Sequence, residues 1–356
     1  MNARTLTRAA VVAGAALVVR RALRRRVQGS PLWPMPALEE PVSGRPRARA
    51  LRLLVAGHEE IADGVVQLRL EGYDLPAWRP GAHLDLVLPS GLVRQYSLCG
   101  DPEDSSSYTV ATRLIPEGEG GRGGSREVHE QLREGAEVEV RGPRNRFALD
   151  ADAPAYLFVA GGIGITPILP MLREVEARGA AWRLLYGGRS RASMPFLEDV
   201  AKLGGDRVDI VAQDEAGPPD LAAALTATAP GTAVYCCGPE GLMAAVEAAL
   251  PEGRTLHLER FAPRNTADGN GAFEVELRRS GKVVDVPAGS TVLAAVRAEV
   301  PNVSYSCEQG FCGTCQQRVL GGEIDHRDEL LTDAERDDSM LICVSRARGE
   351  RLVLDL

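Results

Sequence analysis

Lysine is almost missing from this sequence: Lys202 and Lys282 are the only two among 356 residues. With so much Ala and Gly, this reads as the coding bias of a GC-rich genome and carries no functional meaning. Basic charge is also scarce beyond the start of the chain. Residues 1–26 hold seven arginines and no acid, leaving 34 basic against 49 acidic side chains in the remainder, a net of −15. An acidic body argues against nucleic acid as a ligand and for a basic macromolecular partner. Disulfide pairing is not encoded either. The seven cysteines are an odd number, and four of them crowd toward the C-terminus. That is the pattern of metal ligands in a reducing compartment, here read as the cytoplasm, and not of a secreted framework.

What is present is ordinary for a globular chain, with 44% hydrophobic and 25% charged residues. The length asks for two or three separate cores. Residues 1–46 form a basic leader and a Pro-rich linker. Ala9–Val19 is an apolar run of eleven, with Arg8 before it and five arginines (Arg20, Arg21, Arg24, Arg25 and Arg26) behind it. A secretory signal would have small residues and a cleavage site after the run, and a membrane span needs about 20 apolar residues. The leader is therefore read as an extension without a membrane role, the alternative being a basic amphipathic helix on an anionic surface.

From about residue 47 to 152 short strands alternate with Gly, Asp and Pro turns, as in a small antiparallel barrel. Leu51–Val55, Val65–Leu70 and His83–Leu88 lead to Arg94-Gln-Tyr96-Ser97-Leu98 and then to the strand Tyr108–Arg113. Gly121-Arg122-Gly123-Gly124-Ser125 follows and opens a helix. Free amides at a helix N-terminus make a ready phosphate site, to which Arg122 and Ser125 add a charge and a hydroxyl. This order of Arg-x-Tyr-Ser and a phosphate loop resembles the flavin domain of the ferredoxin–NADP reductase superfamily. The Gly-Arg-Gly-Gly-Ser form is similar to its phthalate dioxygenase reductase and vanillate demethylase reductase branch. The resemblance implies FMN, with FAD as the alternative. It implies that Arg94, Gly121, Arg122, Gly123, Gly124 and Ser125 hold the phosphate. Tyr96, Ser97 and Leu98 would meet the isoalloxazine, with the Ser97 hydroxyl near the hydride-accepting N5, and Ala111, Thr112 and Arg113 would line the ring edge.

Residues 153–262 repeat strand and helix, which specifies a doubly wound parallel sheet. The strand Tyr156–Ala160 turns through Gly161-Gly162-Ile-Gly164-Ile-Thr166-Pro167 into a helix, with glycines where a backbone must approach a ligand closely. Pro167 suits a first helical turn. By resemblance, Gly162, Gly164, Thr166 and Pro167 form the pyrophosphate turn. Cys237-Gly238-Pro239 resembles the signature beside the nicotinamide, which makes Cys237, with Ser97, a catalytic candidate, while Cys236 is read as core. Arg189 and Arg191 follow the second strand, where an acid often binds the ribose of NAD; the branch implies NADH, and the arginines keep NADPH as the alternative. Phe261, in His257-Leu-Glu-Arg-Phe261, is expected to stack near the flavin.

After a linker at 263–271, residues 272–356 carry Cys307-x₄-Cys312-x₂-Cys315-x₂₇-Cys343, the spacing of a plant-type [2Fe–2S] ferredoxin. Zinc would ask for two Cys-x₂-Cys pairs or histidines at ligand spacing, and His326 is the only histidine nearby. Gly310 and Gly313 let the backbone approach the cluster. The words Ser304-Tyr-Ser-Cys307-Glu-Gln-Gly and Cys343-Val-Ser-Arg-Ala are similar to those of oxygenase-reductase ferredoxin domains, implying an α+β β-grasp fold. Asp325–Asp328 reads as a solvated turn, and Glu308, Glu323, Asp325 and Asp328 as an acidic rim for a basic partner. Together the three units imply an NAD(P)H-dependent oxidoreductase, monomeric, that feeds a terminal oxygenase, usually of the Rieske type. The alternative acceptors are a cytochrome P450 and a membrane desaturase or hydroxylase.

Overall fold

The computed structural model describes residues 50–116, 123–261, 271–305, 308–310, 313–328 and 330–356. The leader, Gly121, Arg122, Cys307 and Cys312 lie outside these. Among the described residues no helix is long and apolar enough to cross a membrane.

The first sheet contains β1 (Ala50–Ala62), β2 (Val65–Glu71), β3 (Ala82–Val87), β4 (Val93–Ser97), β5 (Ser107–Arg113) and β6 (Glu137–Asn145). Its order is β4-β3-β6-β1-β2-β5, and every pairing is antiparallel. Period-two alternation sends Val66, Leu68 and Leu70 of β2 into one core with Leu84, Leu86, Val138 and Val140. The two ends of the sheet meet just past β4, where Leu98 pairs with Val110 of β5. The Cys99 amide there donates to the Thr109 carbonyl at 2.9 Å. Closure into a barrel satisfies edge groups that an open sheet would expose. Helix α1 (Gly124–Gln131) is too short to persist alone. Val128 and the following Leu132 anchor it in the barrel core.

The second sheet is wholly parallel, β11-β10-β7-β8-β9. Its strands are β7 (Ala155–Gly161), β8 (Ala181–Gly188), β9 (Val208–Ala212), β10 (Ala233–Cys237) and β11 (Thr255–Glu259). Both faces are covered, which is why β7 and β10 read as unbroken apolar runs. On one face Phe158, Tyr235 and Cys237 pack under α2 (Ile165–Ala177). On the other, Leu157, Val159 and Cys236 pack under α3 (Leu221–Thr226) and α4 (Glu240–Ala249). The chain winds outward from β7 through β8 to β9, then returns to β10 on the opposite side of β7. The crevice between β7 and β10 is thus the topological switch point, where open α/β sheets bind ligands.

The third unit has β12 (Phe273–Leu277), β13 (Lys282–Val286), β14 (Gln316–Gly321), β15 (Ile324–Asp325), β16 (Ser339–Leu341), β17 (Arg346–Ala347) and β18 (Arg351–Leu354). The main sheet runs β13-β12-β18-β14-β16, with β12 and β18 parallel. Helix α5 (Val292–Glu299) lays Val292, Leu293 and Val296 on that sheet. Thr291 caps it, its Oγ1 accepting from the Ala294 amide at 3.1 Å.

Candidate functional site

The barrel and the parallel sheet meet at strand ends. Ser97 closes β4 and is 4% exposed; its Oγ donates to Oε2 of Glu259 at 3.1 Å. Glu259 ends β11, in register with Cys237 at the end of β10. Burial pushes the Glu259 carboxyl up to about 8, and the bond from Ser97 restrains that rise. The Cys237 thiol is raised well above its ordinary value by burial first, then by the charge of Glu259. Cys237 is therefore a neutral thiol, wholly enclosed in the core beneath the glycine turn. Sequence reading assigned Glu259 no role. A lone acid within a strand word carries no signal until the barrel serine is folded against it.

The glycine turn shows why side chains are absent there. A Cβ on Gly164 would lie 2.2 Å from the Cys237 carbonyl oxygen, and one on Gly238 would lie 2.9 Å from Gly161 Cα. Gly162 takes φ +53°, and Thr166 Oγ1 donates to the Ile163 carbonyl at 2.9 Å, closing the turn. Pro167 sits in the first turn of α2, where no amide proton is needed. Pro239 directly precedes α4 and lies against Gly161. The Tyr186 hydroxyl donates to the carbonyls of Gly162 and Pro195 at 3.1 and 2.9 Å, a support that sequence reading did not find.

One cation stands against this turn, with a second near enough to act on it. Arg113 approaches Gly162 and donates to the Ser193 carbonyl. Burial, and next the like charge of Arg189, lower its affinity for its proton. Paired guanidiniums beside a glycine turn suit a pyrophosphate. Arg191 is held differently: its Nε donates to both carboxylate oxygens of Glu215, at 3.1 and 2.9 Å. Glu215 lies on the helical turn after β9, which is tied to the β8 end by the Asp214 amide donating to Arg189 at 3.1 Å. Arg260, 6% exposed, donates to Glu240 and Glu247 at 3.3 and 3.2 Å. It fixes the start of the segment leading to Phe261, which is 39% exposed.

On the barrel, Arg94 lies along the start of α1. A Cβ on Gly124 would be 2.5 Å from Arg94 Nε, so only glycine leaves room for the guanidinium beside the helix amides. Gly123 adopts φ +78° and supplies no side-chain cap. Ser125 Oγ accepts from the Ile115 amide at 3.0 Å, which leaves its proton to donate elsewhere. The Tyr96 phenol is pushed up to about 12 by burial, opposed by its bond with Thr112. Thr112 is buried, and its carbonyl lies 3.1 Å from His129 Nε2. Leu98 is in the barrel core. Ala111 packs with Val65 and Cys99 in a small cluster that also touches Ile163 and Phe196 of the parallel-sheet unit. A phosphate group fits this donor set of guanidinium, helix amides and hydroxyl.

In the third unit Gln316 of β14 pairs with Leu341 of β16, and the Ile342 amide donates to the Cys315 carbonyl at 3.4 Å. Antiparallel pairing thus brings the segment of Cys343 beside that of Cys315, and the two thiols are 3% and 2% exposed. Cys307 and Cys312 fall outside the described residues. Gly310 and Gly313 take φ +80° and +71°, and a Cβ on Gly310 would meet Val344 at 2.9 Å. Two buried thiols on converging segments fit a thiolate-ligated cluster.

The acidic rim needs correction. Glu308 and Glu323 are exposed, and Asp325 is partly buried and bound to Arg327. The Asp328 side chain, however, is 0% exposed, so Asp325–Asp328 is not a solvated turn. Asp328 turns inward because local amides and a buried hydroxyl solvate its carboxylate better than its strand edge does.

Comparison with known proteins agrees with this geometry. Residues 275–348 match the model of the 2Fe-2S iron-sulfur cluster binding domain. Residues 136–257 match the N-terminal domain of the dimethylamine monooxygenase subunit DmmA-like family. Vanillate O-demethylase oxidoreductase of Pseudomonas sp. (strain HR199 / DSM 7063) is 42% identical over 86% of this chain and 100% of its own length. Phthalate dioxygenase reductase of Burkholderia cepacia is 38% identical over 86% and 97%. A solved phthalate dioxygenase reductase, described as a modular structure for electron transfer from pyridine nucleotides to [2Fe–2S], superposes with a TM-score of 0.66 at 37% identity, covering 86% of this chain and 98% of that one. An intact type IV self-sufficient cytochrome P450 monooxygenase gives a TM-score of 0.73 at 40% identity. There 92% of this chain corresponds to 44% of the longer protein.

Proposed function

The chain belongs to the phthalate dioxygenase reductase and vanillate O-demethylase oxidoreductase family, and on that premise we propose that it carries electrons from NADH through FMN and a [2Fe–2S] cluster to a terminal oxygenase. Hydride brings two electrons and a cluster takes one; FMN, when bound, supplies the conversion between them. The protein's part is binding, orientation and exclusion of water.

Arg94, the amides of the 123–125 turn and the Ser125 hydroxyl hold the flavin phosphate, with Gly121 and Arg122 completing the loop. Tyr96 and Ser97 face the ring. Gly162, Gly164, Thr166 and Pro167 form the pyrophosphate turn under Arg113 and Arg189. Gly238 and Pro239 open the nicotinamide crevice, Cys237 forms its apolar floor, and Phe261 covers it. Capture of Arg191 by Glu215 favours NADH over NADPH, since a 2′-phosphate would have to displace a carboxylate. Cys307, Cys312, Cys315 and Cys343 bind the cluster. The functional units are residues 47–152, 153–262 and 272–356, in a monomeric cytoplasmic protein whose oxygenase partner is of the Rieske type.

The observation that carries this reading is the Ser97–Glu259 contact. It joins the flavin strand end to the nucleotide strand end and so faces the two binding sites toward each other. Anaerobic titration with NADH tests it. Flavin and cluster absorbance should both bleach, and acid extraction should release FMN. Recovery of FAD, or bleaching of the flavin with an unreduced cluster, would refute the proposed path. The likeness to a self-sufficient P450 makes a haem protein the second reading for the acceptor. Comparing turnover with a Rieske oxygenase and with a P450 separates the two.

A further inference from the structure

Asp328 lies outside the proposed cluster ligands yet touches both Ser345, two residues past Cys343, and Gly310, which stands between Cys307 and Cys312 in sequence. Its Oδ2 accepts from the amides of Leu330 and Leu331 at 3.1 and 2.8 Å. Its Oδ1 accepts from Ser345 Oγ at 3.2 Å, and Ser345, 1% exposed, stands two residues beyond Cys343. Its backbone packs on Gly310, in the loop of the other three cysteines: a Cβ there would lie 3.5 Å from Asp328 Cα. Arg336 donates to the Asp328 carbonyl at 2.8 Å. Arg336 also comes within 3.9 Å of Oδ2, and His326 Nδ1 within 3.6 Å of Oδ1. The carboxylate is thus enclosed by three hydrogen-bond donors and two basic side chains with no exposed side-chain surface, a rigid mount.

We propose that Asp328 is the positioning residue of the iron–sulfur site, locking the Cys343 turn against the loop around Gly310 and thereby setting the reduction potential of the cluster. This rests on the reading that Cys307, Cys312, Cys315 and Cys343 hold a [2Fe–2S] cluster. The reduced cluster carries one more negative charge than the oxidised one. A buried carboxylate on that turn, offset only in part by Arg336 at 3.9 Å, opposes reduction, and a looser turn changes the hydrogen bonding and solvent access that tune the potential.

The test compares the full-length holoprotein with Asp328→Asn, Ser345→Ala and Asp338→Asn. The last removes the same charge at an exposed site paired with Arg318. Midpoint potentials are read by redox titration of the cluster's electron-spin resonance signal, and cluster retention by the rate of bleaching with a chelator. Asp328→Asn should raise the midpoint enough to shift the reduced-to-oxidised ratio at least tenfold, about 59 mV for a one-electron couple. Ser345→Ala, which keeps the charge but cuts its tie to the turn, should bleach at least tenfold faster than the parent. Asp338→Asn should do neither. The inference fails if the Asp328→Asn midpoint moves no more than that of Asp338→Asn, because a merely stabilising residue would change bleaching alone. If Asp328→Asn is isolated without its cluster, Ser345→Ala decides: bleaching at the parent's rate overturns the proposal. A parent protein lacking the cluster signal would instead refute the ligand assignment.

Discussion

Glu259→Gln is the substitution that tests the seam between barrel and nucleotide sheet most directly. Glutamine keeps the shape and still accepts from Ser97, but it cannot ionise. The native carboxyl is raised from 4.5 to about 8, chiefly by burial. In the folded protein it therefore stays protonated at pH values where the unfolded chain has already lost the proton. Its contribution is complete below about 4.5 and is lost as pH rises toward 8, with a slope of about 1.4 kcal/mol per pH unit. Between about pH 5 and pH 8 the shift corresponds to a loss of up to about 4 kcal/mol. The variant lacks this slope. Denaturant unfolding followed through flavin release reports on the unit that holds Ser97 and Glu259. The stability difference, variant minus parent, should grow steadily from pH 5 to pH 8 and flatten above it. Parallel curves over that range would refute the buried, proton-holding carboxyl.

Cys343→Ser should abolish the cluster's visible absorbance and oxygenase-coupled turnover while NADH-to-ferricyanide activity, which needs only the flavin and nucleotide sites, stays within about twofold. Gly124→Ala drives a Cβ to 2.5 Å from Arg94 Nε and should weaken FMN retention about tenfold or more, measured by flavin fluorescence on dilution. Glu215→Gln releases Arg191 and should raise kcat/KM for NADPH about tenfold, with that for NADH changed less than about threefold. An unchanged preference would mean that Arg191 does not reach the ribose.

Local chemistry made much of this protein legible. Parallel strands buried on both faces write themselves as apolar runs, so the strand read at Tyr156–Ala160 is observed at Ala155–Gly161. The glycine turn was legible because only glycine tolerates a carbonyl 2.2 Å from a would-be Cβ. Thr291 is the cap of α5, because a hydroxyl at that position satisfies an orphan amide. Asp328 misled for a related reason. An acid in a Gly- and Asp-rich stretch is usually solvated, and nothing local reveals that Ser345 and two amides will enclose it.

The amino-acid sequence by itself determined the three folds, their order and the spacing of the four C-terminal cysteines, because spacing, turn residues and apolar periodicity act within a few residues of one another. Tertiary structure alone decided that Glu259 meets Ser97 across 162 residues, that Glu215 occupies Arg191, and that Asp328 is buried against Ser345 and two backbone amides. Each of these depends on which surfaces lose water when separate elements pack. Desolvation, which turns a common acid into a proton-holding or charge-setting group, is a property of that packing and not of the residue.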